Sequence, residues 1–296
     1  MSADKPTSAN NGLKGLRREI DTIDREIHDL IMARTAVVER VRAAKEGEKI
    51  KIRPAREAKI LTKLLARHKG PFPKRELIRI WREMIVATLS MEGPFSVAVL
   101  TPQDDENAFW DMARDQYGSF SPISRHVSAR RVVEAARTMK ATVGIVSTPE
   151  RNEDNPWWPG LANNRRTAPN IIARLPMAGP GNTRGARDGF VLARIENEKT
   201  GRDRSFLIVE TRAEISRQKL GNLLRDGQFD AVQVLFWHDD SKPEQWLHLV
   251  EVDGFVAPDD RRIKTLIKAE DDLISAIHYV GGYAMPFTAD ELATKP

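Results

Sequence analysis

LRREIDTIDREIHDLIMARTAVVERVRAAK, residues 16–45, is the stretch on which the architecture turns. Its apolar residues, Leu16, Ile20, Ile23, Ile27, Leu30 and Ile31 and then Val37, Val38 and Val41, recur at steps of three and four. That is the period of one helix face and not the alternation of a strand. Neither Pro nor Gly interrupts between Leu16 and Lys45. The spacing predicts a single helix from Leu13 to about Lys45, near 50 Å long at about 1.5 Å per residue. A helix of that length cannot bury its stripe inside one small domain. It calls for a partner helix, most simply from a second copy of the chain, so a homodimer is expected.

On the C-terminal side, Pro54 opens a second helix, since proline suits the first helical position. It runs through Ile60, Leu61, Leu64 and Leu65 to the break at Gly70-Pro71-Phe72-Pro73. A third helix carries Leu77, Ile80, Trp81, Met84, Ile85 and Leu89, and Gly93-Pro94 closes it. Residues 12–94 therefore read as a three-helix all-α domain, with 1–11 a disordered N-terminus.

The pattern changes at Phe95. Strands are expected at Val97–Leu100 and Val143–Val146, with a helix at Ala129–Met139 between them. Residues 150–190, rich in Asn, Pro, Gly and Arg, read as loop, with a strand at Phe190–Ile195. Further strands are expected at Ser205–Glu210, Ala231–Trp237 and Trp246–Val252, separated by helices near Ser216–Arg225 and Arg261–Lys268. The order β-α-β-β-α suits a ferredoxin-like α+β unit. The expected divisions are a reduced α/β region over 95–200 and the ferredoxin-like unit over 201–288.

Composition narrows the class. A chain of 296 residues, 41% hydrophobic and 30% charged, has the make-up of a globular protein of two or three small domains. No apolar run approaches the ~18 residues of a membrane span, and the polar first dozen residues lack a secretory core. With no cysteine, disulfides and thiolate metal sites are excluded. A cytoplasmic location without membrane contact is the expectation. Lys and Arg outnumber Asp and Glu by 21 to 13 in residues 1–95 but fall short by 26 to 29 in the remainder. A basic N-terminal third fits nucleic acid or a small anionic ligand, and the arrangement of the cations separates the two. No helix-turn-helix turn or interleaved aromatic stripe accompanies them, so a nucleic-acid partner is not expected.

The cations have a defined arrangement. Arg34 and Lys45 are eleven residues apart, about three turns, and share a face. Arg17, seventeen residues before Arg34, is turned away from that face, so one site can draw Arg34 and Lys45 from one chain and Arg17 from its partner. Thr88 and Glu92 are i and i+4 on the third helix. Arg53, Arg56 and Glu57 cluster where the second helix starts. No His, Asp or Glu group has metal-ligand spacing, and no metal is expected.

With those residues in view, the 16–45 stretch resembles the opening helix of AroQ-type chorismate mutases. "RPAREAKIL" is similar to their Pro-x-Arg-Glu signature and "IWREMIVATLSME" to their last helix, in order and spacing over about eighty residues. The resemblance implies an intertwined homodimer of three-helix chains that rearranges chorismate to prephenate. That pericyclic step needs no nucleophile, metal or cofactor, only orientation of a dianion and stabilisation of charge on the breaking ether oxygen. By the resemblance, Arg17 of the partner copy and Arg34 hold the two carboxylates, which guanidinium forks suit. Lys45 donates to the ether oxygen and a carboxylate, Glu57 accepts from the ring hydroxyl, and Thr88 supports a carboxylate. Glu92 takes the place of the second ether-oxygen donor. It donates only when protonated, so activity is expected to fall as pH rises through its pKa. Arg53 stands where some members have an acid, and is included as a substrate-binding residue.

The remainder resembles a reduced prephenate dehydratase followed by an ACT-type domain. "FSVAVLTPQDDENAF" and "ATVGIVSTPE" are similar to dehydratase strands, and "RSFLIVET" through "HYVGGYAMPF" to an ACT domain. Only about 100 residues separate Phe95 from the ACT-like strand, too few for two dehydratase lobes. "ARDGFVLAR" stands where a Thr-Arg-Phe stretch would, with Thr183-Arg184 nearby followed by Gly185. The Gly-Ala-Leu and Glu-Ser-Arg-Pro phenylalanine-binding segments are absent. The expectation is chorismate mutase activity in aromatic amino acid biosynthesis, with a C-terminal region that is scaffold first and altered sensor second. The alternatives are a bifunctional mutase/dehydratase and a non-catalytic regulator reusing the fold.

Overall fold

A computed structural model describes residues 7–44, 52–103, 105, 107–163, 166–179 and 187–293. The chain divides into two compact units, Met1–Lys49 and Ile50–Pro296.

The first unit is one helix, α1, Thr7–Ala44. It begins ahead of the expected Gly12 boundary, so Thr7–Asn11, taken as disordered, are helical. Thr22 and Thr35 turn their hydroxyls back onto the carbonyls of Arg18 and Ile31, at 2.9 Å each, which lets polar residues sit inside a long helix. Leu13, Leu16, Ile20, Ile23, Ile27, Leu30, Val37 and Val41 are all exposed, from 44% to 69%. Their spacing alternates three and four, the a/d pattern of a coiled-coil seam, and Arg34 occupies the seam position between Leu30 and Val37.

In the second unit α2, Pro54–Arg67, starts with proline in its first turn, and α3, Lys74–Glu92, follows the Gly70–Pro73 break. Both agree with the expected helices. Leu61 and Ile78 form a small core together with Phe287, and Trp81 is partly buried against it.

Among the described residues nine strands form one sheet in the order β2-β1-β3-β5-β4-β9-β6-β8-β7. They are β1 Val97–Leu100, β2 Ile123–His126, β3 Val143–Ser147, β4 Asn170–Leu175, β5 Gly189–Ala193, β6 Asp203–Thr211, β7 Ala231–His238, β8 Trp246–Asp253 and β9 Ile274–Ala284. β1 runs parallel to β2 and β3, and β5 is antiparallel to both β3 and β4. Helices α4, Ala108–Tyr117, and α5, Ala129–Arg137, pack on this half. The other half, β6-α6-β7-β8-α7-β9, has the expected ferredoxin-like element order, with α6 at Arg217–Asp226 and α7 at Arg261–Ala269. A last turn, α8, Ala289–Leu292, carries a capping box between Thr288 and Glu291.

The stretch expected to be loop, 150–190, contains β4. Its run Ile171, Ile172, Ala173 is buried, and the proline that follows at 176 ends it. Trp157 and Trp158, also in that stretch, are buried in the main core. The apolar faces of β6 and β8 divide the core in two. Leu207, Val209, Val250 and Val252 face α6 and α7 through Leu220, Leu224, Ile263 and Leu266. Phe206, Ile208, Leu247 and Leu249 face the opposite way and join the core of the first five strands.

Between the two halves the named strands share one registered pair, Ile171 of β4 with Gly281 of β9, and an isolated bridge pairs Ala178 with Phe287 beyond the strand ends. Gly281 has φ +114°, and a Cβ there would stand 2.2 Å from the carbonyl oxygen of Ile171. Only glycine allows that approach.

Candidate active site

The expected site residues fall in both units. Arg17 is exposed and Arg34 half-buried on α1. Lys45 lies outside the described residues, as do Thr183 and Arg184. Glu92 is the last residue of α3, and its side chain is likewise outside the description.

In the second unit Glu57 lies in the first turn of α2, where a carboxylate complements the helix dipole. Its carboxylate accepts from the Arg82 guanidinium of α3 in a short, nearly buried ion pair. Arg82 also donates to the main-chain oxygen of Gln116 at the end of α4. The Gln116 side-chain oxygen, in the amide orientation these donors require, accepts from both Arg82 Nη atoms at 3.1 and 2.8 Å. Tyr117 stacks its ring 5.9 Å from the Arg82 guanidinium carbon, and burial pushes its hydroxyl pKa far up. Three helices thus meet at one guanidinium.

Arg82 was not among the expected residues, although a signal existed. It lies on the run Ile78, Arg82, Ile85, Leu89, at core spacing, where arginine is out of place unless paired. Arg53 points to Glu198, at 3.6 Å. Thr88 is buried and turns its hydroxyl onto the carbonyls of Ile85 and Met84, at 2.8 and 3.3 Å. Among the described residues Glu57 and Thr88 share no hydrogen bond. Beside Arg82 a cleft of about 190 Å³ is bordered by Arg75 and Arg79 of α3, Asp115 of α4 and Met177.

Guanidinium groups such as those of Arg17 and Arg34 on α1 suit carboxylates, and within the second unit the Glu57 carboxylate, fixed by the buried Arg82, keeps acceptor capacity for a hydroxyl. Among the described residues no group of His, Asp and Glu is placed to hold a metal ion. No helix among them is long and apolar enough to cross a membrane.

Residues 16–93 match the family described as chorismate mutase type II. The family expected at the N-terminal third is the one found. Relatives agree in name. The chain is 37% identical over 123 residues to a bifunctional chorismate mutase/prephenate dehydratase of Stutzerimonas stutzeri, covering 40% of this chain and 33% of that protein. It is 36% identical over 140 residues to the protein of the same description from Aquifex aeolicus, covering 45% of this chain and 38% of that one. The chain therefore spans little more than a third of the length of these relatives.

Among solved structures, the prephenate dehydratase of Streptococcus mutans aligns with 65% of this chain and 98% of its own, at 11% identity and a TM-score of 0.44. GqqA, described as a quorum-quenching acylase, aligns with 69% of this chain and all of its own, at 9% identity and a TM-score of 0.47. Likeness at that level carries no functional content.

Proposed function

We propose that this chain is a chorismate mutase, an isomerase that rearranges chorismate to prephenate in the cytoplasm without metal or cofactor. The observation that carries the reading is the family match over 16–93, the stretch that also holds Arg17, Arg34, Lys45, Glu57, Thr88 and Glu92. The active form is a homodimer of intertwined helices, in which each site takes Arg17 from the partner copy.

The chemistry asked of these residues is orientation and electrostatics. Arg17 and Arg34 clamp the two carboxylates and hold the substrate in its reactive conformer, the term that removes most of the entropic barrier. Lys45 and a protonated Glu92 place positive charge and a donor at the ether oxygen, where negative charge grows as the bond breaks. Glu57 accepts from the ring hydroxyl, and Arg82 fixes its rotamer for that task. Thr88 supports a carboxylate, and Arg53 borders the substrate.

Residues 12–94 are the mutase domain in this reading, 95–200 a truncated dehydratase-like region and 201–288 an ACT-like domain. We assign no dehydratase activity to the chain, because the Thr-Arg-Phe stretch and a second lobe's worth of sequence are lacking. The relatives' names favour one further reading, a bifunctional mutase/dehydratase. One assay addresses both. Purified protein should deplete chorismate absorbance and yield prephenate, seen as phenylpyruvate after acid treatment, and Arg34→Ala should lose at least ~10²-fold in rate. Phenylpyruvate appearing before acid would establish the bifunctional reading. An inert, folded wild type would overturn the mutase reading.

A further inference from the structure

The inward stripe of β8 reads Leu247, Leu249, Glu251, so a carboxylate stands where the alternation calls for an apolar residue. Glu251 is 6% exposed. Its cross-strand neighbours are Phe206 on β6 and Gln233 on β7, and the next inward pair on β7 and β8 is Leu235 with Leu249. Phe190, Phe206, Leu235 and Leu249 wall a cavity of about 120 Å³, with Arg174 and Glu251 as its charged groups.

The charges in this cavity do not cancel. Arg174 is neutralised by Asp188, to which its Nε and Nη2 donate at 3.2 and 2.5 Å. Its Nη1 donates to the Tyr283 hydroxyl at 3.2 Å. Tyr283 donates in turn to Oε1 of Glu251 through a short bond. Oε2 of Glu251 has no bond to any described residue. The relay Asp188–Arg174–Tyr283–Glu251 therefore ends in a carboxylate oxygen without a counter-ion, at a cavity lined by Thr148 and Gln233 as well as by apolar side chains. A bound cation would give that oxygen the partner it lacks. Aromatic rings attend the same charge. Phe190 and Phe206 meet edge to face at 5.1 Å, and Tyr283 lies 5.9 and 6.0 Å from them. Carboxylate and ring faces together attract an ammonium group.

We propose that this cavity binds a small primary ammonium compound, its nitrogen on Oε2 of Glu251 and its short apolar body against Phe190, Phe206, Leu235 and Leu249. A free amine and an α-amino acid both supply that chemistry. Arg174 retains guanidinium hydrogens not engaged by Asp188 or Tyr283, and one hydroxyl separates it from Glu251. A carboxylate beside the ammonium would find a donor there. The site is separate from the residues given to the mutase and does not depend on that reading.

The test is calorimetric titration of the full chain with three compounds that share one branched body: 3-methylbutylamine, L-leucine and 4-methylpentanoate. The amine or the amino acid should bind and the acid should not. Leucine binding more tightly than the amine would identify amino acids as the source, and the reverse order would identify amines. Glu251→Gln should weaken binding about tenfold or more. Gln233→Lys places a tethered ammonium beside Glu251 and should abolish binding while raising the melting temperature of the free protein. Binding of the acid as tightly as the amine would overturn the proposal. So would binding of none of the three, an unaltered affinity in a folded Glu251→Gln, or unaltered binding in Gln233→Lys.

Discussion

Arg82 and Glu57, twenty-five residues apart in sequence, form an ion pair whose side chains are 5% and 13% exposed. A pair so withdrawn from water contributes little net stability when intact, because desolvation offsets much of the attraction, yet losing one member leaves a buried charge. Arg82→Leu should cost about 3–5 kcal/mol in urea denaturation. The double variant Arg82→Leu/Glu57→Leu should recover most of that loss, since it removes both charges together. Equal losses in the single and double variants would show that packing, and not the stranded carboxylate, sets the cost.

His248 on β8 is 3% exposed, and its Nε2 lies 3.1 Å from the Thr211 hydroxyl. Thr211 already donates its one hydrogen to the Ala213 carbonyl, so Nε2 must be the donor and Nδ1 is bare. Burial holds the pKa at about 4 against an ordinary 6.5. The unfolded chain binds the proton first as pH falls, so the stability present above pH 6.5 is lost between 6.5 and 4, by at most about 3 kcal/mol. Melting temperatures from pH 7.5 to 4.5 should fall more steeply in wild type than in His248→Gln. Parallel curves would sink this assignment.

Gly281→Ala should be strongly destabilising, by more than about 1 kcal/mol, because φ is positive and the new Cβ meets Ile171 main chain from 2.2 to 2.9 Å away. The same change at Gly221, where nothing lies within 4 Å, should be neutral or stabilising. Thermal melts of the two variants side by side decide it.

The α1 seam leaves eight apolar side chains about half exposed. Covering the rest of each is worth about 1 kcal/mol per side chain, which is the physical support for a dimer. Ile23→Lys with Ile27→Lys places charges at consecutive a and d positions. Light scattering should then show a monomer where wild type is dimeric, with mutase activity lost because Arg17 no longer reaches a partner's site. A wild-type monomer with full activity would contradict both statements.

Legibility followed the strength of the periodic signal. α1, α2 and α3 were readable because many apolar residues repeat at one period, and β1, β3 and β5–β8 because they are compact apolar runs. β4 was hidden by its neighbours, since Asn, Pro and Gly dominate the stretch around six strand residues, four of them buried. β2, Ile-Ser-Arg-His, is an edge strand with no fully buried residue and so no hydrophobic pattern. β9 carries a Gly-Gly pair that local propensity counts against a strand; the close approach of Ile171 explains Gly281, and that of the Arg204 main chain explains Gly282. Arg17 and Arg34 could be placed on one helix because helical spacing is a local property, and α1 does carry both. Arg82 was missed because its partners, Glu57 and Gln116, lie on other helices, and single-sequence spacing carries no tertiary contact.

The sheet's one-rung junction also coincides with a division in time. Strands β1 to β5 come from a continuous stretch, Val97–Ala193, and β6 to β9 from the next, Asp203–Ala284. Every ladder between the named strands except Ile171–Gly281 closes within one stretch. A chain emerging from the ribosome can therefore complete the first five strands while the last four are still being made. The edge of β4 then stays open until β9 arrives to cover it. During that interval an exposed Ile-Ile-Ala edge is available to other nascent chains.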